Sequence, residues 1–181
     1  MAQLRNTEES YGIIAQSLHW LVAALVFIQL GLGLYAANLP LSLARLQWLS
    51  RHKSLGLVIF ALVLLRFAWR SANGVPAQTD LTSRWQRCAA AASHWLLYLL
   101  LVLAPLSGWM YGSAAGLSVN WFGLFRVPDL LPKQADLAGL LKTAHRGCVA
   151  LLAFVILCHV LAALHHALVR RDGVMRRMLP W

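Results

Sequence analysis

Carboxylates are scarce in this sequence: Asp and Glu together number 6 against 16 Lys and Arg, for a formal net charge of +10. Charge of either sign is also sparse. Charged residues make up 12% of the chain and hydrophobic ones 60%, whereas a soluble domain carries about 25% charged residues. That deficit excludes an ordinary water-soluble globule and points to lipid as the surrounding solvent. A single unit over residues 1–181 is expected, because a bilayer supplies the apolar environment that a second packed layer would otherwise provide. The Lys and Arg residues are confined to gaps between apolar runs instead of forming one patch or stripe, which argues against nucleic acid as a partner.

Cysteine is equally uninformative as a framework. Cys88, Cys148 and Cys158 are an odd set with no C-x-x-C pair, so they read as small core residues. The C-x-x-C-H run that tethers a haem covalently is missing too. A cleavable signal is not expected, since Met1 to Ser10 carries Glu8 and Glu9 and the first apolar run is too long for a signal core.

Four long apolar stretches are present: Gln16 to Ala37, His52 to Ser71, Ala89 to Gly112 and Ala144 to Val169. Each approaches the roughly 20 residues that span a hydrocarbon core. The expected fold is all-α, an integral membrane four-helix bundle. An extra short interfacial helix is expected over Leu41 to Leu49, after the breaker Pro40 and with an amphipathic pattern. Gly74 and Pro76 mark Ala72 to Arg87 as a loop. The longest gap, Ser113 to Thr143, carries Trp121 and Phe122, which suit the headgroup level. Pro105 inside the third stretch is compatible with a membrane helix, whose neighbours re-satisfy the freed carbonyl. Basic residues slightly favour the side of the termini, chiefly through the tail Arg170 to Arg177. Both termini are therefore expected in the cytoplasm of a bacterial inner membrane.

All 7 histidines lie within or at the end of an apolar run, where an ionisable residue is costly and usually functional. Alternating helix direction sorts them by depth. His19 and His159 fall near the cytoplasmic face, His52 and His145 near the outer face. His145 and His159 are fourteen residues apart, close to four turns, so they project from nearly one side of their helix at levels about 21 Å apart. A zinc site would gather three or four ligands around one ion. These histidines are distributed in twos, as the axial ligands of six-coordinate haem b would be, and helix bundles build such sites from facing side chains. With both axial positions filled, one-electron transfer is the favoured task.

Cationic residues complete the pattern. Arg66 and Arg70, four residues apart, could hold the propionates of an inner haem; snorkelling is the plainer alternative. Lys53 and Arg146 directly follow His52 and His145 and could hold outer propionates or steer an anionic substrate. His94 suits an interfacial position as well as a functional one. His165 and His166 end the last helix, where a cation is favourable anyway, although His165 could also hydrogen-bond a quinone carbonyl and pass a proton.

The strings Ser17-Leu18-His19-Trp20, His52-Lys53-Ser54-Leu55-Gly56, Ser93-His94-Trp95-Leu96-Leu97-Tyr98, Ala144-His145-Arg146 and His159 through His166 resemble the motifs of the bacterial cytochrome b561 family, as does the tail Asp172 to Pro180. The likeness runs from about Tyr11 to Pro180. It implies two non-covalent haem b groups with axial ligands at His19, His52, His145 and His159, and ubiquinone reacting near His165. One bacterial member of that family oxidises superoxide outside and reduces ubiquinone. Superoxide or another small reductant is thus the expected donor. A second reading is a membrane-anchoring cytochrome b subunit that conducts electrons between a partner dehydrogenase and the quinone pool. A third is a haem-free transporter or proton channel.

Overall fold

The computed structural model describes residues 3–8, 10–76 and 84–179. Four helices, α1 (Ile13–Asn38), α2 (Leu43–Asn73), α3 (Arg84–Ala114) and α4 (Ala135–His165), follow one another, with a two-stranded hairpin between α3 and α4 formed by β1 (Asn120–Trp121) and β2 (Phe125–Arg126). All four are long and apolar enough to cross a membrane. At 1.5 Å per residue α1 is about 39 Å long and the others about 46 Å, against roughly 30 Å of hydrocarbon.

What faces outward explains why lipid is needed. In the most apolar window of each helix, at most 17% of residues are buried within the protein. Leu34, Phe154 and Leu161 all point away from it. A helix apolar on every side is stable only where its outer face meets hydrocarbon.

Both termini lie at one end of the bundle. The Trp20 indole N–H donates to the Met178 carbonyl at 2.9 Å, the Gln16 side-chain amide donates to the Arg177 carbonyl at 3.3 Å, and the Asn6 amide donates to Gly74 in the α2–α3 connection at 2.9 Å. The β-hairpin is at the opposite end, turned by Phe122 and Gly123, which both have positive φ (48° and 81°).

Two apolar clusters occupy the middle. Val22, Val26, Ile59 and Val63 form one, and Leu100, Ala104, Leu152 and Val155 the other, with Leu101 and Ile156 packed against both. Along the helices α3 packs on α4, α1 on α2, and α2 on α3, whereas α1 and α4 are not a closely packed pair.

The helix boundaries correct several expectations. No separate interfacial helix forms over Leu41 to Leu49: α2 begins at Leu43, capped by the Ser42 hydroxyl accepting from the Arg45 N–H, and continues through His52. Residues 43–51 contain neither Gly nor Pro, so nothing stops propagation once the turn is nucleated. Similarly, α4 starts at Ala135 instead of Ala144, because Asp136, Lys142 and Thr143 lower hydropathy without breaking a helix. Of the loop expected over Ala72 to Arg87, helix claims both ends, and residues 77–83 lie outside those described, as does Pro180 of the tail motif.

Candidate functional site

The histidines meet in two tiers. At the end that carries the termini, the rings of His19 on α1 and His159 on α4 have centroids 6.4 Å apart. At the hairpin end, His52 on α2 and His145 on α4 are also separated by 6.4 Å. The apolar clusters lie between the tiers.

This spacing distinguishes between chemistries. An imidazole–imidazole hydrogen bond, with nitrogens about 2.9 Å apart, would bring the ring centres to roughly 5 Å. A metal taking one nitrogen from each ring at about 2 Å per bond holds the centres roughly 6 Å apart. The observed separation in both tiers exceeds the first and leaves room for the second, as it does for an edge-on contact between rings. Among the described residues no three His, Cys, Asp or Glu side chains converge as a metal cage, so a zinc-type site is not formed.

The surroundings of the rings fit a cofactor between them. The Nδ1 atoms of His19 and His52 are buried without a hydrogen-bond partner, an exception to the usual satisfaction of buried polar groups. His145 is oriented more fully. Its Nδ1 lies 3.0 Å from the Ala104 carbonyl and 3.2 Å from the Ser107 hydroxyl, and donating to that carbonyl leaves Nε2 available as a ligand. The Gln29 amide donates to the His52 carbonyl at 2.8 Å and anchors that turn of α2. Two glycines make room for the rings. A Cβ at Gly33 would approach the His52 ring to 2.8 Å, and one at Gly108 would approach the His145 ring to 3.0 Å. The loose α1–α4 seam adds space that a packed helix pair would lack.

The cations divide by environment. At the hairpin end the Lys53 ammonium donates to the carbonyls of Leu117 and Ser118 at 3.0 and 3.2 Å, so it holds the loop leading to β1. Ser54 helps, accepting from the Phe122 N–H and donating to the Asn120 carbonyl. Arg146 is exposed. Arg126 donates to Asp129 at 2.7 Å and to Ser118 at 2.6 Å, and the hydrogen bonds from Arg126 and then Ser118 hold the Asp129 carboxyl below its ordinary range.

At the termini end, Arg66 and Arg70 stand with their guanidinium carbons 5.5 and 6.0 Å from the Tyr98 ring centre. Arg66 is within electrostatic reach of His19 and His159. His94, whose role the sequence leaves open, joins this tier, its ring centre 5.4 Å from that of His159. His165 is exposed at the end of α4. The neighbouring His166 instead contacts Asp172 at 2.6 Å, where α4 passes into a π-helical turn over His166–Arg170. Sequence reasoning missed Gln29, Gly33, Ser107 and Gly108. None of them carries a sequence signal of its own, since each takes its role from a ring or backbone on another helix.

An apolar four-helix bundle with facing imidazoles at two depths is the arrangement that a membrane cytochrome of the b type would need. The chain belongs to the prokaryotic cytochrome b561 family, which it matches over residues 10–181. It is 34% identical to cytochrome b561 homolog 2 of Escherichia coli (strain K12), over 96% of this chain and 93% of that one. To the probable superoxide oxidase CybB of Yersinia pestis it is 31% identical, over 95% of this chain and 97% of the relative. Membership makes it a haem-binding, multi-pass bacterial membrane protein with an electron-transfer role.

Proposed function

We propose that the chain is one self-contained unit that binds two haem b groups, oxidises superoxide at the hairpin end and reduces ubiquinone at the termini end. The observation that carries this reading is the repeated 6.4 Å separation of imidazoles, His19 with His159 and His52 with His145. These four are the proposed axial ligands. A haem bound there would supply one-electron transfer.

The protein side chains have definable tasks. His145, held through Nδ1 by Ala104, keeps Nε2 free to hold a haem, and Gly33 and Gly108 keep its partner ring and its own free of steric conflict. Arg146 and Lys53 provide positive potential at the outer mouth, drawing in an anion such as superoxide; Lys53 does so while tethering the loop over that tier. Superoxide as donor is supported by the name of the Yersinia relative. At the other end, exposed His165 hydrogen-bonds the quinone and delivers a proton to it. The overall balance is two superoxide anions giving two dioxygen molecules, with two electrons and two protons converting one quinone to quinol. The termini, and with them the quinone site, are assigned to the cytoplasmic side of the inner membrane, and the mouth containing Arg146 to the outside.

The test is a reduced-minus-oxidised spectrum of the purified protein, with haem counted per chain by pyridine haemochromogen, followed by quinol formation under a superoxide source. Two haems per chain and superoxide-dependent quinol are expected. One haem or none removes the two-tier assignment. Two haems without reactivity toward superoxide would move the donor to a partner dehydrogenase. In the active protein, His165→Ala is expected to slow quinol formation at unchanged haem content, and an unaltered rate removes the quinone role of His165.

A further inference from the structure

A small cavity of about 20 Å³ opens at the termini end between α1, α2, α3 and the two chain ends, lined by Trp69, Arg66, Arg70 and Tyr98 together with Tyr11 and Met178. Its lining is unusual in chemistry. The Trp69 indole Nε1 and the Tyr98 hydroxyl are both buried and lack any hydrogen-bond partner. An indole N–H can only donate, so this corner calls for an acceptor. The two guanidinium groups flank the same Tyr98 ring. Among the described residues neither Arg66 nor Arg70 has a carboxylate within ion-pair distance.

Charge and size narrow the occupant. One buried water would satisfy the indole and the phenol but would leave two cations, four residues apart on one helix face, uncompensated at the edge of hydrocarbon. An anion with several lone pairs answers both needs. The cavity has room for one water-sized group, which admits the end of a carboxylate and excludes a quinone ring. It also lies beside the His19–His159 tier, within reach of Arg66.

We infer that Trp69, Tyr98, Arg66 and Arg70 form a carboxylate pocket, and that it takes a propionate of the haem held between His19 and His159. This rests on the two-haem reading above. The other source of the same chemistry is a free small anion such as acetate or phosphate.

The holoprotein tests this with haem isotopically labelled at its propionate carboxylates. Redox-difference infrared spectra are compared for the wild type, Trp69→Phe, Tyr98→Phe and Arg66→Gln, alongside haem release to apomyoglobin. The expected result is two haems per chain in the Phe variants, a shifted labelled carboxylate band, and one haem leaving about tenfold faster, as for loss of one hydrogen bond to a charged group. Arg66→Lys should restore slow release in part. Protein reconstituted with haem dimethyl ester guards against a folding artefact: it should release that haem quickly, and Tyr98→Phe should add nothing further. Two haems with an unmoved labelled band in every variant overturns the pocket alone. An unmoved band with release rates that follow added acetate or phosphate assigns the site to a free anion and overturns the propionate. A wild type without haem overturns the two-haem reading first and the pocket with it.

Discussion

At the scale of single residues, the ligand candidates and the glycines beside them are separable by experiment. His52→Ala or His145→Ala is expected to remove one haem and leave the other bound, read as haem per chain; loss of both, or of neither, would count against independent tiers. Gly108→Ala presses a methyl group against the His145 ring, 3.0 Å from its nearest atom. It should therefore shift the spectrum and lower occupancy of one tier, whereas Gly147→Ala, with nothing within 4 Å of the added carbon, should leave both unchanged. Equal spectra for the two variants would deny the glycine its role. The histidines were legible from sequence because an imidazole in an apolar run is expensive and stands out. Gly33 and Gly108 were not, since glycine is common in membrane helices and its use here is defined by a ring on another helix. Trp69 was hidden for a similar reason: one tryptophan among 8 reads as belt or packing.

At the scale of elements, the four spans were readable from apolar run length, and their ends were not. Hydropathy falls at Leu43–Arg51 and at Ala135–Thr143, but helix propensity does not, so α2 and α4 extend beyond the apolar runs. The C-terminal segment depends on a different interaction. Burial, the largest single influence, pushes the Asp172 carboxyl up, yet the hydrogen bonds from His166 and the Val174 N–H together with the charges of His166 and Arg170 outweigh it, and the carboxyl sits below its ordinary range. Its other oxygen accepts from the Val174 N–H at 3.2 Å. Because the folded value is depressed, the pairing contributes fully above the ordinary aspartate value of about 3.9 and is lost as pH falls through the lower folded value. Hydrogen exchange at Val174, corrected for the intrinsic pH dependence, should accelerate only in that acid range in the wild type. In Asp172→Ala it should already be several-fold faster at neutral pH. An amide equally protected in both proteins would show that the pair does not hold the tail.

At the scale of the whole molecule, net charge and layering set the behaviour. With a formal +10 on the chain and Arg146 exposed beside one tier, the bimolecular rate with an anionic donor should fall as ionic strength rises and the screening length shrinks to about 8 Å at 0.15 M. A neutral donor should show no such dependence, and a superoxide rate indifferent to salt would remove the steering role of Lys53 and Arg146. The apolar layer between the tiers is expected to be what keeps them apart. Leu152→Ala, emptying a buried site in that layer, should cost about 2–5 kcal/mol of stability if the site behaves as soluble cores do, read as a lower thermal midpoint in detergent.

Because α1 and α4 are left without an intimate helix–helix contact, a haem held between His19 and His159 as proposed would act as mortar between them. A ligand that binds only the assembled bundle raises its apparent stability in proportion to the logarithm of its free concentration. Porphyrin supply would then govern how much of this protein a cell keeps: in haem-starved cells the chain, held together along one side by nothing but its neighbours, would be the first to reach the proteases.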